Sequence, residues 1–349
     1  MSTPFYINGR FLTQVMTGIQ RFSFELCKML IEQGVDIVIL APRKIRLEYK
    51  LNCHIIQFGL FNTILWEQID LPRFLQKHKK PLLINFGSPG PLCYANRIVT
   101  IHDLAIYVHP GGFSRPYYYY YRFVTPVFTR RSKKIITVSE FSKQEIVRLT
   151  GVAPEKIVVI HNAVSAAITN SDSAVREIKQ PYILSVASMD PRKNLARLVE
   201  AYNKLGLASA TKLVLAGKMD SIFTMELSHD IVANSLGYVP DEALAVLYKN
   251  ASVFVYLSIY EGFGIPPLEA MAMGCPVVLS DIAVFREIFG DAACYVDPLN
   301  SDSISQAILL VMNNKSYRNQ LVARGFERVK LYSWEKSAAK LLALINSME

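Results

Sequence analysis

Two carboxylates, Glu261 and Glu269, stand at the ends of the segment Glu261-Gly-Phe-Gly-Ile-Pro-Pro-Leu-Glu269. The apolar run Ala251 to Ser258 precedes them and reads as a buried strand. Leu268-Glu-Ala-Met-Ala-Met273 follows and opens a helix. The chain thus passes from strand to glycine loop to helix N-terminus, with an acid at each end of the loop. Glycines let a backbone approach a ligand closely, and free amides at a helix start favour anionic groups such as phosphate. Carboxylates bind phosphate poorly but accept hydrogen bonds well from sugar and ribose hydroxyls. The chemistry implied is recognition of a nucleotide that carries a sugar. A plain strand-to-helix turn with two exposed acids would share this composition.

Two further segments place reactive groups at strand ends. Asp190-Pro-Arg-Lys-Asn194 follows the apolar run Tyr182 to Ala187 and precedes a helical pattern. In an open α/β sheet, ligands bind outside the carboxyl ends of the strands. Arg192 and Lys193 there could take a diphosphate and stabilise charge on it as a bond to the sugar breaks. The bland reading is a basic pair on a solvated loop. Ile101-His102-Asp103-Leu104 closes another strand, where a histidine can hydrogen-bond a sugar as well as serve the core. Asp103 could orient that ring or cap the next turn.

What must hold these groups is an alternation of strands and helices. Val35 to Leu40, Pro81 to Asn85, Arg97 to Ile101, Lys134 to Val138 and Lys156 to Ile160 read as strands. Gly18 to Gln33 and Phe141 to Leu149 read as helices, the second opened by a Ser139 N-cap. Ser165 to Gln180 has no steady period and reads as a linker. Beyond it the alternation restarts with Tyr182 to Ala187, a helix from Asn194 to Leu205, then Lys212 to Ala216, Ser252 to Tyr256 and Pro276 to Leu279. Such alternation implies α/β architecture with two parallel sheets, each covered on both faces. Ser333 to Met348 reads as a last helix. The tyrosines Tyr117 to Tyr121 read as part of a helix with rings in the core and on the surface, in preference to an aromatic platform.

With 349 residues, 51% hydrophobic and 19% charged, the composition is globular and large enough for two cores. The net charge of +9 is uneven: residues 1–166 carry 21 Lys+Arg against 10 Asp+Glu, and residues 167–349 carry 17 against 19. A basic first half suits an anionic membrane surface or a lipid diphosphate, and is also compatible with a solvated face. No nucleic-acid motif accompanies it. The cysteines Cys27, Cys53, Cys93, Cys275 and Cys294 form no C-x-x-C pair and read as buried, reduced thiols. No signal peptide and no apolar run long enough to span a bilayer is evident, so a cytoplasmic location, or attachment to the inner membrane from that side, is expected. D-x-D, H-E-x-x-H, G-x-S-x-G and P-loop patterns are all absent.

The segment from Glu261 to Glu269 resembles the E-x7-E motif of retaining glycosyltransferases of family 4, and Gly274-Cys-Pro-Val-Val-Leu-Ser280 follows it as in that family. The resemblance implies the GT-B fold, two Rossmann-like domains facing each other across a cleft. It implies domains at 1–166 and 167–332, with the helix 333–349 crossing back to the first. It implies that Glu269 binds ribose hydroxyls and that the backbone of Gly262, Phe263, Gly264 and Ile265 meets donor sugar and phosphate. Glu261 would hold a sugar hydroxyl, and Arg192 and Lys193 the departing diphosphate. His102 with Gly18, from Thr17-Gly18-Ile-Gln-Arg21, would form the opposite wall. Tyr238 and Val239, in Leu236-Gly-Tyr-Val-Pro240, would meet the base, and Asn162 would be structural. The expected activity is transfer of a sugar from a nucleotide-sugar donor, GDP-mannose before UDP-sugars, to a lipid-linked saccharide in surface-polysaccharide synthesis. No cofactor or metal is expected. A GT-B-type nucleotide-sugar epimerase and a non-catalytic nucleotide-sugar-binding partner are the alternatives.

Overall fold

The computed structural model describes residues 4–46, 49–87, 89–170, 180–188, 190–206, 210–217 and 235–348. The chain divides into two compact units, residues 1–162 with 334–349, and residues 163–333. The linker expected at Ser165 to Gln180 is in part the short helix Ala166–Thr169, which Ser165 caps by accepting from the Ala167 N–H. Residues 171–179 lie outside the described residues.

In the first unit, β1 (Phe5–Asn8), β2 (Ile37–Ala41), β3 (His54–Gln57), β4 (Leu83–Asn85), β5 (Arg97–Thr100), β6 (Lys134–Thr137) and β7 (Ile157–Val159) form one sheet. Their order is β3-β2-β1-β4-β5-β6-β7, and every pairing is parallel. The second unit holds β8 (Tyr182–Val186), β9 (Lys212–Ala216), β10 (Val253–Tyr256), β11 (Val277–Ser280) and β12 (Cys294–Val296), in the order β12-β11-β10-β8-β9 and again all parallel. The central strands are runs of Val, Ile and Leu without alternation, and β2, β10 and β11 are buried throughout. Helices on both faces require that pattern. The strands β1, β3 and β12 are only three or four residues long and do not stand out in the sequence.

The helices follow from apolar spacing and caps. Leu195–Leu205 buries Leu195, Leu198, Val199, Ala201 and Tyr202, one stripe at helical spacing, and ends at Gly206 in the left-handed region. Glu140–Thr150 begins where the Ser139 hydroxyl accepts from the Ser142 N–H. Arg115–Arg131 continues through Pro126, which lacks the N–H that would bond the Arg122 carbonyl. The Tyr107 hydroxyl donates to that carbonyl at 3.2 Å, so the helix is not broken there. Within this helix Thr125, Phe128 and Thr129 are buried, while Tyr117 and Tyr119 are exposed and the other three tyrosines only partly covered. The expectation of tyrosines in the core is therefore corrected: Phe128, in the following turns, packs with Val99, Ile101 and Ile135 in the core instead. Nor are all the thiols buried, since Cys93 is exposed and Cys53 half-buried.

The final helix, Trp334–Asn346, packs within the first unit against the helix Gly18–Glu32. Trp334 meets Phe22 edge-on at 6.0 Å, and the Ser337 hydroxyl donates to the His161 carbonyl at 2.7 Å. Trp334 is 5% exposed, so Trp334→Ala should cost about 3–5 kcal/mol by loss of burial and an unfilled cavity. Chemical denaturation followed by circular dichroism would measure it; a change under about 1 kcal/mol would show that the helix adds little to the unit.

Candidate functional site

In the second unit the strand order reverses between β8 and β10, which are adjacent although β9 comes between them in sequence. Connections leaving β8 and β10 therefore run to opposite sides and open a crevice at their carboxyl ends. The chain leaving β8 forms the turn Pro191–Lys193, and the chain leaving β10 carries Glu261. The Ile259 N–H donates to the Arg192 carbonyl at 2.8 Å and ties the two connections together.

At this point Lys193 and Glu261 form an ion pair through Nζ and Oε1, with side chains only 17% and 13% exposed. Tyr256, the last residue of β10, completes a triangle: Lys193 Nζ donates to its hydroxyl at 2.9 Å, and that hydroxyl donates to Glu261 Oε1 at 2.8 Å. Burial works against charge on both ionised groups, but each is outweighed by its partner. Lys193 is held above its ordinary value by Glu261 and Tyr256, and Glu261 below its own by Lys193. Burial, with Glu261 beside it, pushes the Tyr256 phenol up to about 12, so it stays protonated. Sequence reading passed over Tyr256, although its place at the strand end, five residues before Glu261, was the available signal.

Arg192 is held by a different acid. Asp190 accepts from the Arg192 backbone N–H at 2.9 Å and from Nε and Nη2 at 2.5 to 3.1 Å. Burial raises the Asp190 carboxyl, but Arg192 more than offsets this and leaves it below its ordinary value. The basic pair is thus no solvated loop: each cation already has an acid. Asn194 at φ 56° turns the chain into the following helix, and its Nδ2 donates to the Pro298 carbonyl at 2.7 Å.

The loop after Glu261 is fixed from behind. Gly264 sits at φ 102°, and a Cβ there would lie 3.0 Å from Phe285 and 3.2 Å from Phe289. Only glycine fits both the angle and the space. The Phe263 ring is buried, edge-on to Tyr332 at 5.4 Å, so its backbone alone remains for a ligand. The helix Ile265–Ala272 starts without a side-chain cap. Pro266 and Pro267 remove two of its four orphan N–H groups, which leaves those of Gly264 and Ile265. Glu269 is 4% exposed and accepts from the Tyr248 hydroxyl at 3.1 Å. Tyr248, on the helix Asp241–Asn250, was also missed in the sequence. Tyr238 is 64% exposed and Val239 half-buried, beside Gly237, whose carbonyl accepts from the Gly217 N–H at 2.7 Å.

In the first unit His102 lies just past β5. Its Nε2 donates to the Phe86 carbonyl at 2.9 Å, and its ring meets Phe22 edge-on at 5.0 Å. The neutral ring then carries its lone pair on Nδ1. Burial pulls its pKa below the ordinary histidine value despite the Phe86 carbonyl and Asp103. Asp103 caps the next turn through the Ala105 N–H at 2.9 Å. Gly18 is the first residue of the helix Gly18–Glu32, whose N-cap Thr17 gives the helix no side-chain cap; its hydroxyl donates to Gln20. Asn162 is buried at the end of the unit. Among the described residues no three His, Cys, Asp or Glu side chains gather as a metal site.

Comparison with known proteins places this geometry in context. Residues 16–167 match the glycosyltransferase family 4 model, and residues 168–328 match glycosyl transferases group 1. The O-antigen chain mannosyltransferase B of Escherichia coli is 31% identical, over 94% of this chain and 95% of that protein. The O-antigen chain mannosyltransferase RfbU of Salmonella typhimurium is 34% identical over 65% of this chain and 66% of its own. Among solved structures, WaaG, a glycosyltransferase involved in lipopolysaccharide biosynthesis, is similar with a TM-score of 0.76 at 14% identity, covering 98% of this chain and 99% of that one. Anabaena HepE in complex with UDP and glucose gives the same score, identity and coverage. The two parallel sheets, the matching family models and a 31% identical relative along nearly the whole chain lead to one conclusion: this chain belongs to the glycosyltransferases of family 4, with the GT-B fold.

Proposed function

We propose that this glycosyltransferase moves mannose from GDP-mannose to a saccharide built on a lipid diphosphate, with retention of anomeric configuration and without a metal ion. The observation that carries the reading is the Lys193–Glu261–Tyr256 triangle at the strand reversal of the second unit. Two relatives named as O-antigen mannosyltransferases support the choice of sugar. The HepE complex with UDP and glucose keeps UDP-sugars second.

The residues divide the work by charge. Glu269, buried against Tyr248, binds the ribose hydroxyls. Glu261 accepts two bonds at Oε1 and has capacity left for a hydroxyl of the transferred sugar. The Gly262 to Ile265 backbone meets sugar and phosphate, and Tyr238 with Val239 the base. As the bond from C1 to the diphosphate oxygen breaks, its electron pair moves onto that oxygen. Arg192 and Lys193 stabilise the charge. The acceptor hydroxyl attacks C1 from the same face and passes its proton to the departing phosphate, so no protein nucleophile takes part. His102 offers Nδ1 to a sugar hydroxyl, and the uncapped helix start at Gly18 offers amides to phosphate. The basic first unit binds an anionic membrane surface, where a lipid-linked acceptor would lie. Among the described residues no helix is long and apolar enough to cross a membrane.

A thermal-shift panel of GDP, UDP, dTDP, CDP and ADP with EDTA tests the donor. GDP at 100 times its dissociation constant should stabilise the protein by about 2.7 kcal/mol, and a shift seen only with UDP would replace the donor. Transfer should persist in EDTA; its loss there, restored by magnesium, would reject the metal-free reading.

Glu261→Gln should lower kcat/KM by about a hundredfold or more in protein still stabilised by GDP. Near-normal transfer would remove Glu261 from the active site.

Lys193→Met leaves a buried carboxylate without its cation and should cost about 3 kcal/mol or more. Because the Glu261 carboxyl is held below its ordinary value, its contribution is complete above the usual carboxylate range of about 4.3. It is lost as pH falls through the lowered value. Lys193 is raised, so its contribution holds below about 10.4 and fades only above that. Stability curves of wild type and Lys193→Met should therefore converge in acid and stay apart from pH 5 to 9. Parallel curves throughout would show that the pair does not set stability.

A further inference from the structure

The sheet of the first unit also reverses its order, between β1 and β4, so the connections leaving these strands run to opposite sides. The crevice this opens lies at their carboxyl ends, where open α/β sheets bind ligands. Each strand ends there in a buried asparagine, and Asn8 Nδ2 donates to Asn85 Oδ1 at 2.9 Å. The same Nδ2 donates at 2.6 Å to Oε1 of Glu67, whose side chain is 1% exposed. Arg10 Nη1 donates to the other carboxylate oxygen, also at 2.6 Å. The Arg10 side chain is 14% exposed, and its Nε and Nη2 have no acceptor among the described residues. Glu67 lies in the wide turn Trp66–Asp70, where the Leu71 N–H bonds back to the Trp66 carbonyl. Such one-residue insertions into a helix recur at functional sites. From the helix Arg115–Arg131, Tyr120 and Tyr121 lie beside the pair: burial pushes both phenols up, and the charges of Glu67 and Arg10 act on both. A dehydrated ion pair is a costly way to join strands, since apolar residues of similar volume serve as well or better.

We propose that Arg10 binds two adjacent hydroxyls of the acceptor saccharide, and that Glu67 is the positioning residue that aims it. The inference rests on the transferase reading above and names the residues that choose its acceptor. Glu67 fixes the guanidinium through Nη1, which leaves Nε and Nη2 as a fork. That edge matches two oxygens held side by side. A phosphate offers such a pair with charge, and a vicinal diol offers one without. The carboxylate decides between them. At 2.6 Å from Nη1 it cancels the net positive charge that would favour a phosphate, whereas a diol needs none. Rings beside a few fixed polar groups are also the usual lining of a site for a small neutral ligand. His102 follows the neighbouring strand β5, and its bond to the Phe86 carbonyl ties it to the residue after Asn85. A sugar on the Arg10 fork therefore lies along the same end of the sheet as the His102 ring.

The test uses the full chain with GDP-mannose or UDP-glucose as donor. Octyl glycosides of mannose, rhamnose and N-acetylglucosamine, each with its monodeoxy analogues, serve as acceptors. In wild type, deleting either member of one adjacent pair of hydroxyls should raise the acceptor KM about tenfold or more. Arg10→Lys keeps a cation for Glu67 but loses the fork. It should raise KM for the intact glycoside by a similar factor and abolish the penalty on those two deoxy analogues, with the GDP thermal shift unchanged. Glu67→Gln should abolish the same penalty with Arg10 still present, which a merely structural role would not do. A wild type in which no adjacent pair of hydroxyls carries the penalty would overturn the inference without any variant. Variants that fold and keep the penalty would also overturn it, and would leave the transferase reading standing. Failure of both variants to fold would make the pair a structural element and reject it too. Wild type that transfers sugar to none of the glycosides would overturn both this inference and the reading beneath it.

Discussion

A lysine ammonium and a glutamate carboxylate, from the connections that leave β8 and β10, share one partly dehydrated place with a tyrosine hydroxyl. Either charge alone would be costly there, because burial disfavours the ionised form of each. Together they lock both connections at the point where the strand order reverses. Through Ile259 and the Arg192 carbonyl the same lock sets the backbone of the basic turn. The position of Arg192, the start of the glycine loop and the spacing to Glu269 all depend on it.

The pair also holds its own charges in a fixed geometry. A diphosphate leaving a sugar needs cations that do not have to move. Lys193 and Arg192 are each oriented by an acid, and under the function proposed above this would leave little reorganisation to the chemical step. Two prolines in the helix Ile265–Ala272 sharpen this division. They withdraw two backbone donors from the first turn of that helix, beside the two side-chain cations.

The first unit is built on different terms. Its histidine is fixed by a backbone carbonyl and an aromatic edge, with burial keeping the ring neutral. A neutral ring can accept a hydroxyl hydrogen bond through Nδ1 without bringing a charge to the sugar. The unit's excess of positive charge lies elsewhere, part of it along the helix Arg115–Arg131.

The sequence by itself determined the architecture and the candidate residues. Runs such as Val277 to Ser280 can only be strands buried on both faces, and the stripe from Leu195 to Tyr202 can only be a helix on a sheet. The segment from Glu261 to Glu269 was legible because glycine, proline and carboxylate each have few reasons to stand where they do. Tertiary structure alone decided the partners. That Lys193 meets Glu261 and Arg192 meets Asp190 depends on which strands are neighbours, and strand order is not written in local spacing. Tyr256 and Tyr248 escaped notice because a tyrosine in an apolar run looks like core until its hydroxyl has a partner. The five tyrosines were assigned partly to the core for the converse reason. Hydrophobic character shows that a ring can be buried, but which side of a helix meets the sheet is settled by packing against the rest of the fold.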